Sequence, residues 1–279
     1  MFNRSAQSML SNVLPGFVAI AALGFTASVP QTASAASLTP VDLELSLLVD
    51  VSPSINGREY ALQMEGYRDA FVNLSSRFGA GDFGSVAINF IQWAGPNSQQ
   101  ESIPWTLVND QASALQFADA IDAVVRPPFF FSTAPGSAIQ FALPLFSSND
   151  YDGQRWVIDV SGDDPANSGA TTRVARDNAL AAGVSAINGL PILPVTFRSN
   201  LDVWYANNVQ GGVGSFTLPA QGFEDFGRAV EQKLLLELTP PGTNGTVKPP
   251  AAVPEPTTIL GIALAGSGLT YLKRRLRTV

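Results

Sequence analysis

The stretch LLVDVSPSI, residues 47–55, decides how the fold is read. It opens as an apolar run suited to a buried strand, then sets Asp50, Ser52 and Ser54 at alternate positions around Pro53. In an open α/β sheet, ligands bind beyond the carboxyl ends of parallel strands, where loops converge. Asp50 falls at such an end, a few residues before a helical pattern begins. If the loop curls after the strand, one carboxylate and two hydroxyls turn toward a common point. Hard oxygens of this kind suit magnesium, manganese or calcium, with water in the other positions. Taken alone, the same residues also read as a strand followed by a serine-capped helix start.

Outward from this stretch, apolar runs alternate with helical patterns. Strand-like segments fall at 43–50, 84–93, 102–108, 155–162 and 187–196. Helix-like segments fall at 58–78, 110–125, 136–146 and 171–182, and a last amphipathic stretch at 223–238 puts Phe223, Phe226, Val230 and Leu234 on one face. Near-continuous apolar strands separated by helices predict an α/β fold with a mostly parallel central sheet and helices on both faces. The segment at 102–108 follows a Gly-Pro-Asn turn and is expected as one antiparallel edge strand.

Composition removes several chemistries. The chain has no histidine and no cysteine. That excludes Ser-His-Asp hydrolysis, His- or thiolate-ligated zinc, thiol catalysis and disulfides. Net charge is −7, from 16 Lys plus Arg against 23 Asp plus Glu. Setting aside Arg4 and the four cations of the C-terminal tail leaves 11 cations against the same 23 acids, a body of charge −12. Such a body repels nucleic acid and anionic lipid and attracts cations. Lys233 and Lys248 are the lysines left in that body, and neither is expected near the strand-end site.

The ends read as addresses. Residues 1–35 combine Arg4, an apolar stretch at about 13–25 and small residues at Ala33 and Ala35, the pattern of a cleaved export signal. Residues 239–252, rich in Pro and Gly, read as a flexible linker. The chain then carries Pro254-Glu255-Pro256, the apolar run ILGIALAGSGLTYL at 259–272, and Lys273, Arg274, Arg275 and Arg277. This tripartite tail at 253–279 resembles the PEP-CTERM sorting signal of Gram-negative bacteria. The resemblance implies processing by an exosortase, a membrane-inserted helix before processing, and delivery to the cell surface or extracellular matrix.

Two further pieces extend the strand-end motif. Thr133 stands three residues before Gly136 in a loop preceding a helical pattern, and Asp163 follows the apolar strand ending VSG. In this order the three pieces resemble the metal ion-dependent adhesion site of von Willebrand factor type A domains, a Rossmann-like fold. The resemblance implies that Asp50, Ser52, Ser54, Thr133 and Asp163 hold one Mg2+, or Mn2+ or Ca2+, and that a partner's carboxylate completes the shell. Asp164 departs from the pattern, standing where that family has glycine. The segments GSVAINFIQWAG, RWVIDVSGDDPANSG, LDVWYANNVQGGVGSF and EDFGRAVEQKLLLEL together look like a bacterial branch of A-type domains, the domain-of-unknown-function family 1194. The expected domain is 36–238, and the expected function is cation-dependent binding of a protein or an acidic surface polymer rather than catalysis. The alternatives are a structural matrix component with a stabilising or vestigial site, and a metal-assisted hydrolase using Asp50 and Asp163.

Other residues carry open readings. Asp159, inside an apolar strand, needs a partner. It is expected either to support the ion from behind or to pair with an arginine such as Arg155 or Arg173. Asn167 is expected to fix the Asp163 loop or to face the ligand. Of Phe129, Phe130 and Phe131, at least one is expected near the site rim. Trp204, Tyr205 and Phe216 read as packing residues.

Overall fold

A computed structural model of the chain describes residues 37–129, 132–194 and 200–240. The expected leader, the sorting tail, the linker beyond Pro240, Phe130, Phe131 and the last two positions of the strand expected to reach 196 lie outside the described residues. Among the described residues, no helix is long and apolar enough to cross a membrane.

Chain order is β1 (Thr39–Val41), β2 (Leu43–Asp50), α1 (Gly57–Leu74), β3 (Val86–Trp93), β4 (Gln99–Val108), α2 (Gln111–Asp122), α3 (Pro135–Ala142), β5 (Tyr151–Gly153), β6 (Trp156–Gly162), α4 (Thr172–Ala181), β7 (Ala186–Pro191), α5 (Leu201–Asn208), β8 (Gly211–Gly212) and α6 (Phe226–Leu238). The main sheet has the order β4-β3-β2-β6-β7-β8. Its four inner strands are parallel, with β4 antiparallel on β3 and the two-residue β8 antiparallel on β7. A separate short parallel ladder joins β1 to β5.

The register follows from burial. All eight residues of β2 are buried, as a central strand with both faces covered requires. Leu43, Leu45, Leu47 and Val49 face one layer, shared with Tyr67 and Phe71 of α1, Phe117 of α2 and Val230 and Leu234 of α6. Leu48 faces the other, shared with Ile139 of α3, Ala175 of α4 and Tyr205 of α5. Helix starts are fixed locally. Asn56 and Glu59 form a reciprocal capping box before α1, and Asp110 and Ser113 do the same before α2.

This topology creates the site. The chain leaves β2 toward β3 and β4, then returns to place β6 on the opposite side of β2. The carboxyl ends of β2 and β6 therefore meet at a topological switch point, where loops diverge and leave a crevice. Asp50 ends β2, and Asp163 directly follows the end of β6.

The Asp159 expectation is corrected. Its partner is neither an arginine nor the cation site but Lys233 on α6, at 2.5 Å. Asp159 projects from β6 into the α1/α6 layer and α6 lies over it, so a lysine remote in sequence becomes its neighbour. Both side chains are fully buried.

Candidate metal centre

The five candidate side chains are brought together in one hydrogen-bonded group. Asp50 and Ser52 are fully buried and Thr133 nearly so, whereas Ser54 is exposed. Asp50 Oδ1 accepts from the Ser52 backbone N–H at 2.8 Å, which curls the loop back over the strand end. The Ser52 and Ser54 hydroxyls lie 3.0 Å apart, and Ser54 donates to Asp163 Oδ1 at 2.8 Å. Thr133 reaches the Ser52 hydroxyl at 3.4 Å. Asn167 fixes the Thr133 loop, accepting at Oδ1 from the Thr133 N–H at 2.9 Å and donating its own N–H to the Thr133 carbonyl at 3.0 Å.

Two polar atoms at this centre lack hydrogen-bond partners among the described residues: Asp50 Oδ2 and the Tyr205 hydroxyl. Both flank Gly162. A Cβ placed on Gly162 would lie 2.6 Å from the Tyr205 hydroxyl and 2.8 Å from Asp50 Oδ2, so this strand end accepts no side chain. A buried carboxylate oxygen without a partner is costly, and it is normally satisfied by a donor or a cation.

The electrostatics agree with that chemistry. Asp50 is pushed well above the ordinary carboxyl value by burial and then by the charge of Asp163, against the opposing Ser52 N–H. Burial raises Asp163 to about 6, with Asp164 and Glu59 adding to the rise and the Ser54 hydroxyl opposing it. No ion pair among the described residues involves either carboxylate. Because both folded values lie above the ordinary 3.8, their stabilising contribution is fully present below that value and is lost as pH rises, for Asp163 through about 6. In chelator, urea titrations are therefore expected to show stability falling between pH 5 and pH 7, with Asp163→Asn flattening the slope. An unchanged slope in that variant would remove Asp163 as the cause.

Sequence reasoning missed three contributors. Arg126 Nη2 donates to the carbonyls of Val51, Ser52 and Ile55 at 2.9, 3.1 and 2.7 Å, while its guanidinium lies 5.4 Å from the Tyr60 ring centre. It gathers the three loop carbonyls at one guanidinium nitrogen, in the loop whose Ser54 hydroxyl donates to Asp163. Gln63 of α1 donates to the Asp50 carbonyl at 3.2 Å. Tyr205 comes from α5, a helix not expected from the sequence. No local pattern marks any of the three, because their partners lie far away in the chain. For a divalent cation held at this candidate centre, Arg126→Ala is expected to weaken binding about tenfold, as loss of a supporting contact behind a ligand does. Titration calorimetry of the two proteins checks it.

Within the described residues, no group of three or more His, Cys, Asp and Glu side chains is arranged to hold a metal. The donor set here depends on hydroxyls, in a centre of two carboxylates and three hydroxyls. Oxygen-only sets of this kind suit hard divalent cations.

Comparison with known structures places the fold. Proximal thread matrix protein 1 from the mussel byssus matches with TM-score 0.53 and 17% identity, covering 73% of this chain and 49% of that one. A second structure of that protein, described as having a zinc-occupied MIDAS motif, matches with TM-score 0.50 and 18% identity over 73% of this chain and 47% of that one. The chain thus spans about half the length of these neighbours. The pilus adhesin SpaC from Lactobacillus rhamnosus GG matches at TM-score 0.49 and 11% identity, over 72% of this chain and 30% of that one. No curated protein matches. The fold is the α/β von Willebrand factor A-like fold expected from the sequence, with a mostly parallel sheet, the β4 edge antiparallel and helices on both faces. The family described as "Protein of unknown function (DUF1194)" matches residues 40–242, nearly all of the described chain, and the protein belongs to that family.

Proposed function

We propose that this protein is an exported surface or matrix binding protein that engages its partner through a divalent cation held by Asp50, Ser52, Ser54, Thr133 and Asp163. The observation that carries the reading is the buried, unpartnered Asp50 Oδ2 at the switch point, within a group of five oxygen-bearing side chains. The donor set fits Mg2+, Mn2+ or Ca2+. A bound dication would satisfy Asp50 Oδ2, offset two mutually repelling carboxylates and supply a positive point on an acidic body. The zinc-occupied MIDAS motif of a structural neighbour supports the same reading.

In this proposal the partner is a protein or an acidic surface polymer whose carboxylate completes the cation's shell. The protein is not an enzyme and does not bind nucleic acid. The leader and the PEP-CTERM-like tail carry it across the inner membrane of a Gram-negative-type bacterium to the cell surface, outer envelope or matrix, with an exosortase as the processing partner.

Titration calorimetry with magnesium, manganese and calcium tests the site. Wild type is expected to bind one ion and Asp50→Ala none. If wild type binds none of the three, the cation reading fails. Pull-down from surface polymer with and without chelator then tests the partner. Capture that survives chelation would point to a structural matrix role, which the direct Ser54–Asp163 hydrogen bond at 2.8 Å favours, since these groups also satisfy each other.

A further inference from the structure

A second buried polar cluster lies on the α1/α6 face of the sheet, where α6 packs over β6 and β7. Lys233, Asp159 and Glu237 are 0%, 0% and 2% exposed. Lys233 Nζ lies 2.5 Å from Asp159 Oδ1 and 2.5 Å from Glu237 Oε1. Asn188 orients the glutamate, donating from Nδ2 to Glu237 Oε1 at 2.8 Å while its Oδ1 accepts from the Phe216 N–H at 3.0 Å. Asp159 Oδ2 and Glu237 Oε2 have no hydrogen-bond partner among the described residues. One ammonium stands between two buried carboxylates, and the Arg155 guanidinium, which donates to the Glu237 carbonyl at 2.9 Å, offsets part of the remaining negative charge. Burial disfavours the charged form of Asp159. A proton passing from the Lys233 ammonium to Asp159 yields a neutral amine in contact with a neutral carboxylic acid, a nucleophile beside its electrophile.

We propose that Lys233 and Asp159 condense to an isopeptide bond between Nζ and Cγ, with Glu237 as the catalytic residue that moves the proton. Lys233 Nζ attacks Asp159 Cγ and forms the C–N bond. Glu237 takes a proton from the nitrogen and gives it to a hydroxyl on Cγ. The C–O bond breaks and one water leaves, with no oxidant or cofactor consumed. Glu237 ends in its starting charge state, and the product amide is neutral. Holding the two groups in contact replaces the activation such a condensation needs in water, since well-oriented intramolecular reactions reach effective molarities of about 10⁵–10⁸ M. Exclusion of water disfavours the reverse hydrolysis. The bond ties the last helix to a central strand in a chain that has no cysteine with which to form a disulfide. It does not depend on the cation site.

Tandem mass spectrometry of a tryptic digest of the denatured full-length protein tests the proposal. The expected product is a branched peptide joining 156–173 to 229–273, one water lighter than the two together and uncleaved after Lys233. Glu237→Gln keeps the size of the side chain and is expected to slow its formation about 100-fold, as loss of a general acid–base does. Linear peptides at full mass from wild type would falsify the bond. So would a water loss confined to Asp152–Gly153, where a succinimide has the same mass change but no branch. Branched product at an undiminished rate in Glu237→Gln would overturn the role of Glu237.

Discussion

Measured against protein in which the Lys233–Asp159 bond has not formed, Lys233→Met is expected to destabilise the domain by about 3–5 kcal/mol, read as a lower urea midpoint at unchanged slope. The reason is the company the ammonium keeps. Asp159 and Glu237 are fixed on β6 and α6, and removing the cation leaves both carboxylates buried without the ammonium that lies between them. Burial already raises Asp159 to about 7, with Lys233 pulling its value down and Glu237 pushing it up. Without Lys233 the carboxyl must bind a proton to stay inside, so the deficit should grow as pH rises. A triple variant, Asp159→Leu with Lys233→Met and Glu237→Leu, is expected to recover most of the loss, because an apolar cluster of similar volume removes the desolvation penalty altogether. A single-variant loss below about 1 kcal/mol would show that the trio is better solvated than its burial implies.

Asp50→Asn is expected to act in opposite directions with and without cation. In chelator at pH 7.5 the variant should melt higher than wild type. It removes a carboxylate whose ionisation opposes folding at that pH, keeps an oxygen for the Ser52 N–H, and offers an N–H to the unpartnered Tyr205 hydroxyl. With divalent cation the order should reverse. Wild type at about 100 times its Kd gains about 2.7 kcal/mol, and the variant gains almost nothing. Thermal melts at matched ionic strength check both halves. A variant less stable than wild type in chelator would mean that the Asp50 charge is balanced by something other than a bound ion.

Much of the framework was legible in the sequence. The run at 43–50 matches β2 residue for residue, because a central parallel strand needs apolar side chains on both faces. Asp50, Ser52 and Ser54 could be singled out because their spacing is local, and Thr133 and Asp163 because each sits at a recognisable loop-to-element boundary. The short elements were not legible. The three-residue β1 and β5 and two-residue β8 are too short to show a period, and α5 lacks a clear apolar face in the sequence LDVWYANN. The partner of Asp159 was misread for a related reason. A buried carboxylate announces that it needs a cation, but Lys233 stands 74 positions away on a helix whose placement over the sheet no local pattern specifies.

The sequence by itself determined the alternation of elements, the acidic charge, the absence of thiol and imidazole chemistry, and which oxygen-bearing side chains stand at the strand ends, because each of these resides in residue type and short-range periodicity. Only the tertiary structure decided how those side chains are arranged together. The crossing of the chain from β4 to β6 brings the ends of β2 and β6 side by side, sets Ser54 on Asp163 and leaves Asp50 Oδ2 buried without a partner. It also closes α6 over Asp159, turning a lysine that seemed remote from any chemistry into the centre of a buried trio. Long-range contacts of this kind depend on strand order and helix packing, which no window of the sequence contains.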